Sequence, residues 1–123
     1  MDMDYNSINA DEYPQGWIVI KISKENEPDI YKVFASWRGG YLDGDSWKLN
    51  SGIKSVGQTE DEYIFHGYSG SRYFCKKSYF GVCSGYSGSV LDSLVRQLNK
   101  QGYEVEELPA TFDYLKLNHE DVI

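Results

Sequence analysis

Residues 17–22, Trp-Ile-Val-Ile-Lys-Ile, place Ile18, Ile20 and Ile22 on one side of an extended chain and Trp17 and Val19 on the other. Both sides are apolar, which predicts a central strand covered on two faces. A polar stretch containing Pro28 makes a hairpin loop, and residues 30–37 then set Tyr31, Val33, Ala35 and Trp37 opposite Phe34. The next nine positions, 38–46, hold three glycines and two aspartates and call for tight or left-handed backbone. A short strand over 47–49 returns from this loop. Asn50-Ser51-Gly52 then turns the chain into a second hairpin, residues 53–56 against 63–66, across the acidic loop Glu60-Asp61-Glu62.

The sequence Gly-Tyr-Ser-Gly-Ser occurs twice, at 67–71 and at 85–89. The first copy separates two aromatic strand segments and predicts a hairpin connection. The second precedes Val90, Leu91, Leu94, Val95 and Leu98, an apolar stripe at helical spacing. Ser89 and Asp92 have the form of a capping box, and Gly102 after Lys100 fits a helix end, so the helix is expected at about residues 89–101. Residues 103–106 alternate as an edge strand with glutamates towards water, and Pro109 stops them.

The fold class expected is α+β: a twisted antiparallel sheet of five to seven short strands, with closure into a small SH3-like barrel as one arrangement, and one packed helix. Ile18, Ile20, Ile22, Val33, Phe65, Leu91, Leu94 and Leu98 are its expected core. Residues 1–13 read as a flexible acidic arm, 14–108 as one domain, and 109–123 as an acidic, aromatic segment that packs on the body or on a partner.

A chain of 123 residues with 41% hydrophobic and 15% aromatic content suits one domain with a single core. Its net charge of −7 comes from the ends, since residues 14–102 carry two more bases than acids. That balance disfavours direct nucleic-acid binding, which needs a concentrated basic surface. The acidic ends would instead steer the protein to a basic protein partner. No stretch has the length and apolarity of a membrane span, and the N-terminus lacks a basic start and apolar core, so a cytoplasmic protein without membrane association is expected. Self-association into a homodimer stays open.

Candidate chemistry is sparse. Neither Gly-Tyr-Ser-Gly-Ser copy completes a nucleophile elbow, because serine stands where the last glycine belongs. Gly81-Val82-Cys83-Ser84-Gly85 meets that spacing with cysteine, but activation needs His66 within hydrogen-bond reach. Cys75 and Cys83 read as free thiols in or near the core rather than as a disulfide. Asp43-Gly44-Asp45 begins like a calcium loop and fails at Trp47, and neither zinc spacing nor a phosphate-binding glycine loop is present. No catalytic residue, metal or cofactor is therefore assigned, and the chain is expected not to be an enzyme. What stands out is a set of recognition side chains: Trp37, Arg38, Tyr41, Asp43, Asp45 and Trp47 around the glycine-rich loop, with Tyr68 and Arg72 at the neighbouring hairpin. Two alternatives are a small-ligand sponge or sensor lined by Trp37, Trp47, Tyr68 and Arg72, and a cysteine-dependent enzyme using Cys83.

The runs Gly16-Trp17-Ile18-Val19-Ile20-Lys21-Ile22, Trp37-x-Gly39-Gly40-Tyr41, Gly44-Asp45-Ser46-Trp47-x-Leu49-Asn50-Ser51-Gly52-Ile53 and His66-Gly67-x-Ser69-Gly70-Ser71-x-Tyr73-x-Cys75 resemble a family of small tailed-bacteriophage proteins. The likeness covers about residues 16–98. It implies an accessory protein acting in the host-cell cytoplasm, of the kind that binds and inhibits or redirects a host or defence protein. It carries no catalytic residues over.

Overall fold

The computed structural model describes residues 10–39 and 44–118. Its strands are β1 (Asp11–Glu12), β2 (Gly16–Ser23), β3 (Ile30–Trp37), β4 (Ser46–Leu49), β5 (Ile53–Gln58), β6 (Glu62–Gly67), β7 (Arg72–Lys76) and β8 (Glu104–Glu107). The described residues also form one α-helix, α1 (Gly85–Lys100), and short 3-10 turns at Lys77–Tyr79 and Tyr114–Leu117. Among the described residues, the α+β class, the mainly antiparallel pairing and one α-helix agree with the sequence reading. The strands divide, however, into two four-stranded sheets, β1-β7-β6-β5 and β4-β3-β2-β8, and neither closes into a barrel.

The two-faced strand β2 dictates this layering. Its register with β3 sets Trp17 beside Ala35 and Val19 beside Val33 on one face, and Ile18 beside Phe34 on the other. The first face packs with Ile53, Val56, Phe65, Tyr73 and Cys75 of the opposing sheet. The second packs with Leu91 and the flanking Leu94, Val95 and Leu98 of α1. The β2–β3 sheet is thus a middle layer, and the single expected core is two separate cores. Each fully buried aliphatic side chain, such as Ile20 or Val19, stabilises the fold by roughly 1.5–3 kcal/mol.

Trp17 organises the core between the sheets. Its ring lies 5.1–6.0 Å from those of Tyr63, Phe65, Phe80 and Tyr114, and its indole N–H donates to the Lys76 carbonyl at 2.7 Å. Edge-on aromatic pairs of this kind favour such spacings. The chain after β7 then crosses to the middle sheet, where the Gly81 N–H donates to the Trp17 carbonyl at 2.8 Å.

Three boundaries differ from the sequence reading. The arm does not extend to residue 13, because Asp11 and Glu12 pair parallel with Arg72 and Tyr73 of β7. The domain does not end at 108 either. Tyr114 and Leu117 fill the core between the sheets, and the Tyr114 hydroxyl donates to the Pro109 carbonyl at 2.6 Å. Asn118 follows, accepting from the Val56 N–H at 2.7 Å and donating to its carbonyl at 2.9 Å, so one amide side chain imitates a neighbouring strand on β5. Finally, α1 begins at Gly85, not at Ser89. Ser84 in extended conformation caps it by accepting the Ser87 N–H at 3.2 Å, and the second Gly-Tyr-Ser-Gly-Ser copy lies inside the first turns. The first copy does connect β6 and β7, with Gly70 at φ +101°.

Candidate protein-interaction face

The glycine-rich loop and the start of α1 meet at Asp45. The Ser84 hydroxyl donates to its carboxylate and the Gly39 N–H does so at 3.2 Å; these bonds, with the Arg38 charge, hold the Asp45 carboxyl below the usual carboxylate range. Ser84 Oγ accepts from the Ser87 N–H at 3.2 Å and lies 3.1 Å from the Ser87 hydroxyl. A single serine therefore caps the helix and ties it to the loop before β4.

Two clefts flank this junction. The first, about 320 Å³, lies between β4 and α1 and is lined by Trp47, Ser89, Val90, Ser93, Leu94 and Gln97. It exists because β4 is the edge strand of the middle sheet and α1 leaves it uncovered. Trp47 stacks on buried Phe34, with centroids 5.8 Å apart and planes at 19°, and stays 37% exposed. The second cleft, about 370 Å³, is bordered by Gln15, Arg38, Tyr79, Phe80, Val82 and Cys83. Tyr79, Val82 and Tyr86 are exposed, which makes this end of the molecule unusually aromatic at its surface.

Of the side chains selected from sequence, Arg38, Asp45 and Trp47 therefore share one end of the fold. Tyr41 and Asp43 lie outside the described residues. Trp37 belongs to the opposite side of its strand: it packs at the margin of the core between the sheets and donates its indole N–H to the Tyr13 carbonyl at 3.0 Å. Tyr68 sits at the tip of the β6–β7 hairpin, where its N–H donates to the Gly52 carbonyl at 3.1 Å. Arg72 projects from the outer face of the β7 sheet and holds Asp11 through two bonds of 2.7 and 2.8 Å. These four positions of the sponge reading, Trp37, Trp47, Tyr68 and Arg72, do not line a common pocket.

The thiols are separate as well. Burial, reinforced by the Glu62 charge, pushes the Cys75 thiol well above its ordinary value, so it stays protonated and packs as an apolar group. Half-buried Cys83 has the Ser87 hydroxyl 3.8 Å from its sulfur. His66 shares a register position and a face with Arg72, on the outer side of the sheet farther from α1. Cys83 and His66 therefore occupy different layers.

The sequence reading missed Val90 and Leu94 as cleft partners of Trp47, and exposed Tyr86 at the start of α1. Starting α1 four residues late hid Tyr86 in a turn, and Leu94 of the apolar stripe read as core. No protein-family description matches this chain, and neither the curated proteins nor the solved structures contain a significant match to it.

Proposed function

We propose that this chain is a non-catalytic accessory protein of a tailed bacteriophage that binds a host or defence protein in the infected cell's cytoplasm and inhibits or redirects it. The observation that carries the binding reading is Trp47, a large aromatic left exposed at the lip of an apolar cleft beside α1. Tryptophans in such settings dominate interface energetics because they desolvate a large area on docking. Tyr86, Val82 and Arg38 extend the surface around the Asp45–Ser84 tie. The phage origin rests on the sequence likeness in residues 16–98.

A basic partner surface fits the acidic edge strand, where Glu104, Glu106 and Glu107 are exposed, and the net charge of −7. Asp11 and Glu12 contribute less to steering than the sequence suggests, since they pair with Arg72 and Lys48. The test is affinity capture from lysate of infected cells with tagged wild type and a Trp47→Ser variant. A stoichiometric protein retained by the first and lost by the second supports the reading. A partner that binds both equally, or a small molecule retained in place of a protein, refutes it.

A further inference from the structure

Edge strand β4 lacks the devices that usually block strand addition. Among the described residues, β5 holds the Asn118 side chain at Val56, β8 displays glutamates and is followed by Pro109, and β1 is two residues long. β4 has neither proline nor acid, and three of its four residues are exposed.

Its ladder fixes which backbone groups are available. The Asn50 N–H donates to the Val33 carbonyl at 3.0 Å, so alternation turns the N–H and C=O groups of Ser46 and Lys48 towards β3 and those of Trp47 and Leu49 outwards. No described strand pairs with that side of β4. The same two residues send their side chains towards α1: Trp47 lines the cleft, and Leu49 packs on the core around Leu91. A strand added here would bond to Trp47 and Leu49 and direct every second side chain over Val90 and Leu94. From Ser89 to Gln97 the α1 wall of the cleft is about 12 Å long, room for two successive same-face strand side chains about 7 Å apart.

A chain segment that suits this edge lies just upstream of β1. Residues 1–5, Met-Asp-Met-Asp-Tyr, alternate strictly between apolar and acidic. Residues 6–9, Asn-Ser-Ile-Asn, supply three turn-forming residues. The reach is sufficient. The Ala10 carbonyl accepts the Arg72 N–H at 3.1 Å, and two residues later Glu12 meets Lys48 Nζ of β4 at 2.6 Å. Residue 10 is thus already beside β4, and the five Cα steps back to residue 5 span up to about 17 Å. Charge matches as well. Lys48 gives one of its three donors to Glu12 and is 53% exposed, so it can take a second carboxylate on the face opposite Trp47. The cleft lining is uncharged, which suits methionine and tyrosine and disfavours aspartate.

We propose that residues 1–5 add to the outer edge of β4 as a strand, with Met3 and Tyr5 over the Trp47 cleft and Asp4 towards Lys48. The occupant of the cleft is this chain's own N-terminal segment, and a partner gains the site by displacing it. This regulation rests on the reading of the cleft as the partner site; the docking itself does not.

Hydrogen exchange at the Trp47 and Leu49 amides tests the docking, in full-length wild type and in a variant carrying Met3→Asp and Tyr5→Asp. The Lys48 amide, bonded to β3 in both, is the internal control. A segment docked nine-tenths of the time slows exchange at Trp47 and Leu49 by about tenfold, and the variant should lose that slowing while Lys48 keeps its own. A synthetic peptide of residues 1–9 added to the variant should restore it. Equal exchange of Trp47 and Leu49 in the two proteins overturns the inference, whatever any partner does. So does wild-type exchange at these amides as fast as in an unstructured peptide. Capture from infected-cell lysate reads the regulation separately: the variant should bind the partner up to about tenfold more tightly, and equal binding overturns the regulatory part. Protection that the variant removes supports the docking even where no partner is captured, a result that would count against the proposed function alone.

Discussion

Ser84 caps α1, and the consequence for stability separates the observed helix start from the one that the sequence suggested. Ser84→Ala removes the acceptor of the Ser87 N–H at 3.2 Å and leaves a first-turn donor without its side-chain partner. Loss of a serine cap costs about 1 kcal/mol, the middle of the measured range. For a chain of this length that corresponds to a fall in Tm of roughly 3–5 °C. Ser89→Ala is the comparison. Ser89 is an exposed residue in the second turn, where alanine is the better helix former, so stability should stay level or rise by a few tenths, up to about 0.5 kcal/mol. Urea unfolding followed by far-ultraviolet circular dichroism measures both, with the m-value checked for constancy. Equal costs for the two variants, or a larger cost for Ser89→Ala, would refute the cap assignment. Ser84→Asp sharpens the test: aspartate caps as well as serine but repels Asp45, so the helix should keep its stability while the Gly39 amide resonance moves.

Three further outcomes are expected. The Asp45 carboxyl has a lowered pKa in the folded state, so its tie to Ser84 and Gly39 is intact above the ordinary aspartate value of about 3.9 and is lost as pH falls through the lower folded value; the Gly39 amide shift, followed down an acid titration, should show its midpoint below 3.9, and a midpoint above it contradicts the tie. Gly16→Ala places a methyl 2.6 Å from the Gly81 carbonyl oxygen, 2.8 Å from the Cys83 nitrogen and 2.8 Å from Ser36 Oγ, and should destabilise the protein by about 1–3 kcal/mol in urea unfolding; a change below 0.5 kcal/mol would mean that the backbone there yields freely. Association with a basic partner should slow markedly between roughly 0.05 and 0.5 M salt, measured by stopped flow, and an insensitive on-rate would remove the electrostatic part of the binding proposal.

Much of the architecture was legible because local pattern decides it. A strand apolar on both faces, four hairpin connections marked by glycine, proline or polar residues, and a helical stripe all follow from spacing between near neighbours. The division into two sheets was not legible, since β2 chooses β3 and β8 while β6 chooses β5 and β7, and several antiparallel arrangements satisfy the same alternation. The added strand β1 was hidden by its composition: Asp11 and Glu12 look like solvated chain until Arg72 and Lys48 arrive from distant sequence. At the candidate face, the loop singled out in the sequence does hold Arg38, Asp45 and Trp47. Its other half, the α1 surface, went unseen because a helical stripe does not reveal which of its residues the sheet leaves uncovered.

A ribbon greasy on both sides has no built-in objection to sliding by one notch, because either half of its side chains could enter either compartment. In β2 that freedom is cancelled at one end. Only a residue without a side chain fits at Gly16, and the indole beside it matches a chamber of rings that the isoleucine compartment cannot offer. Alignment of the whole middle layer, and with it the location of Phe34 beneath Trp47, is therefore decided by two adjacent residues acting as an index pin.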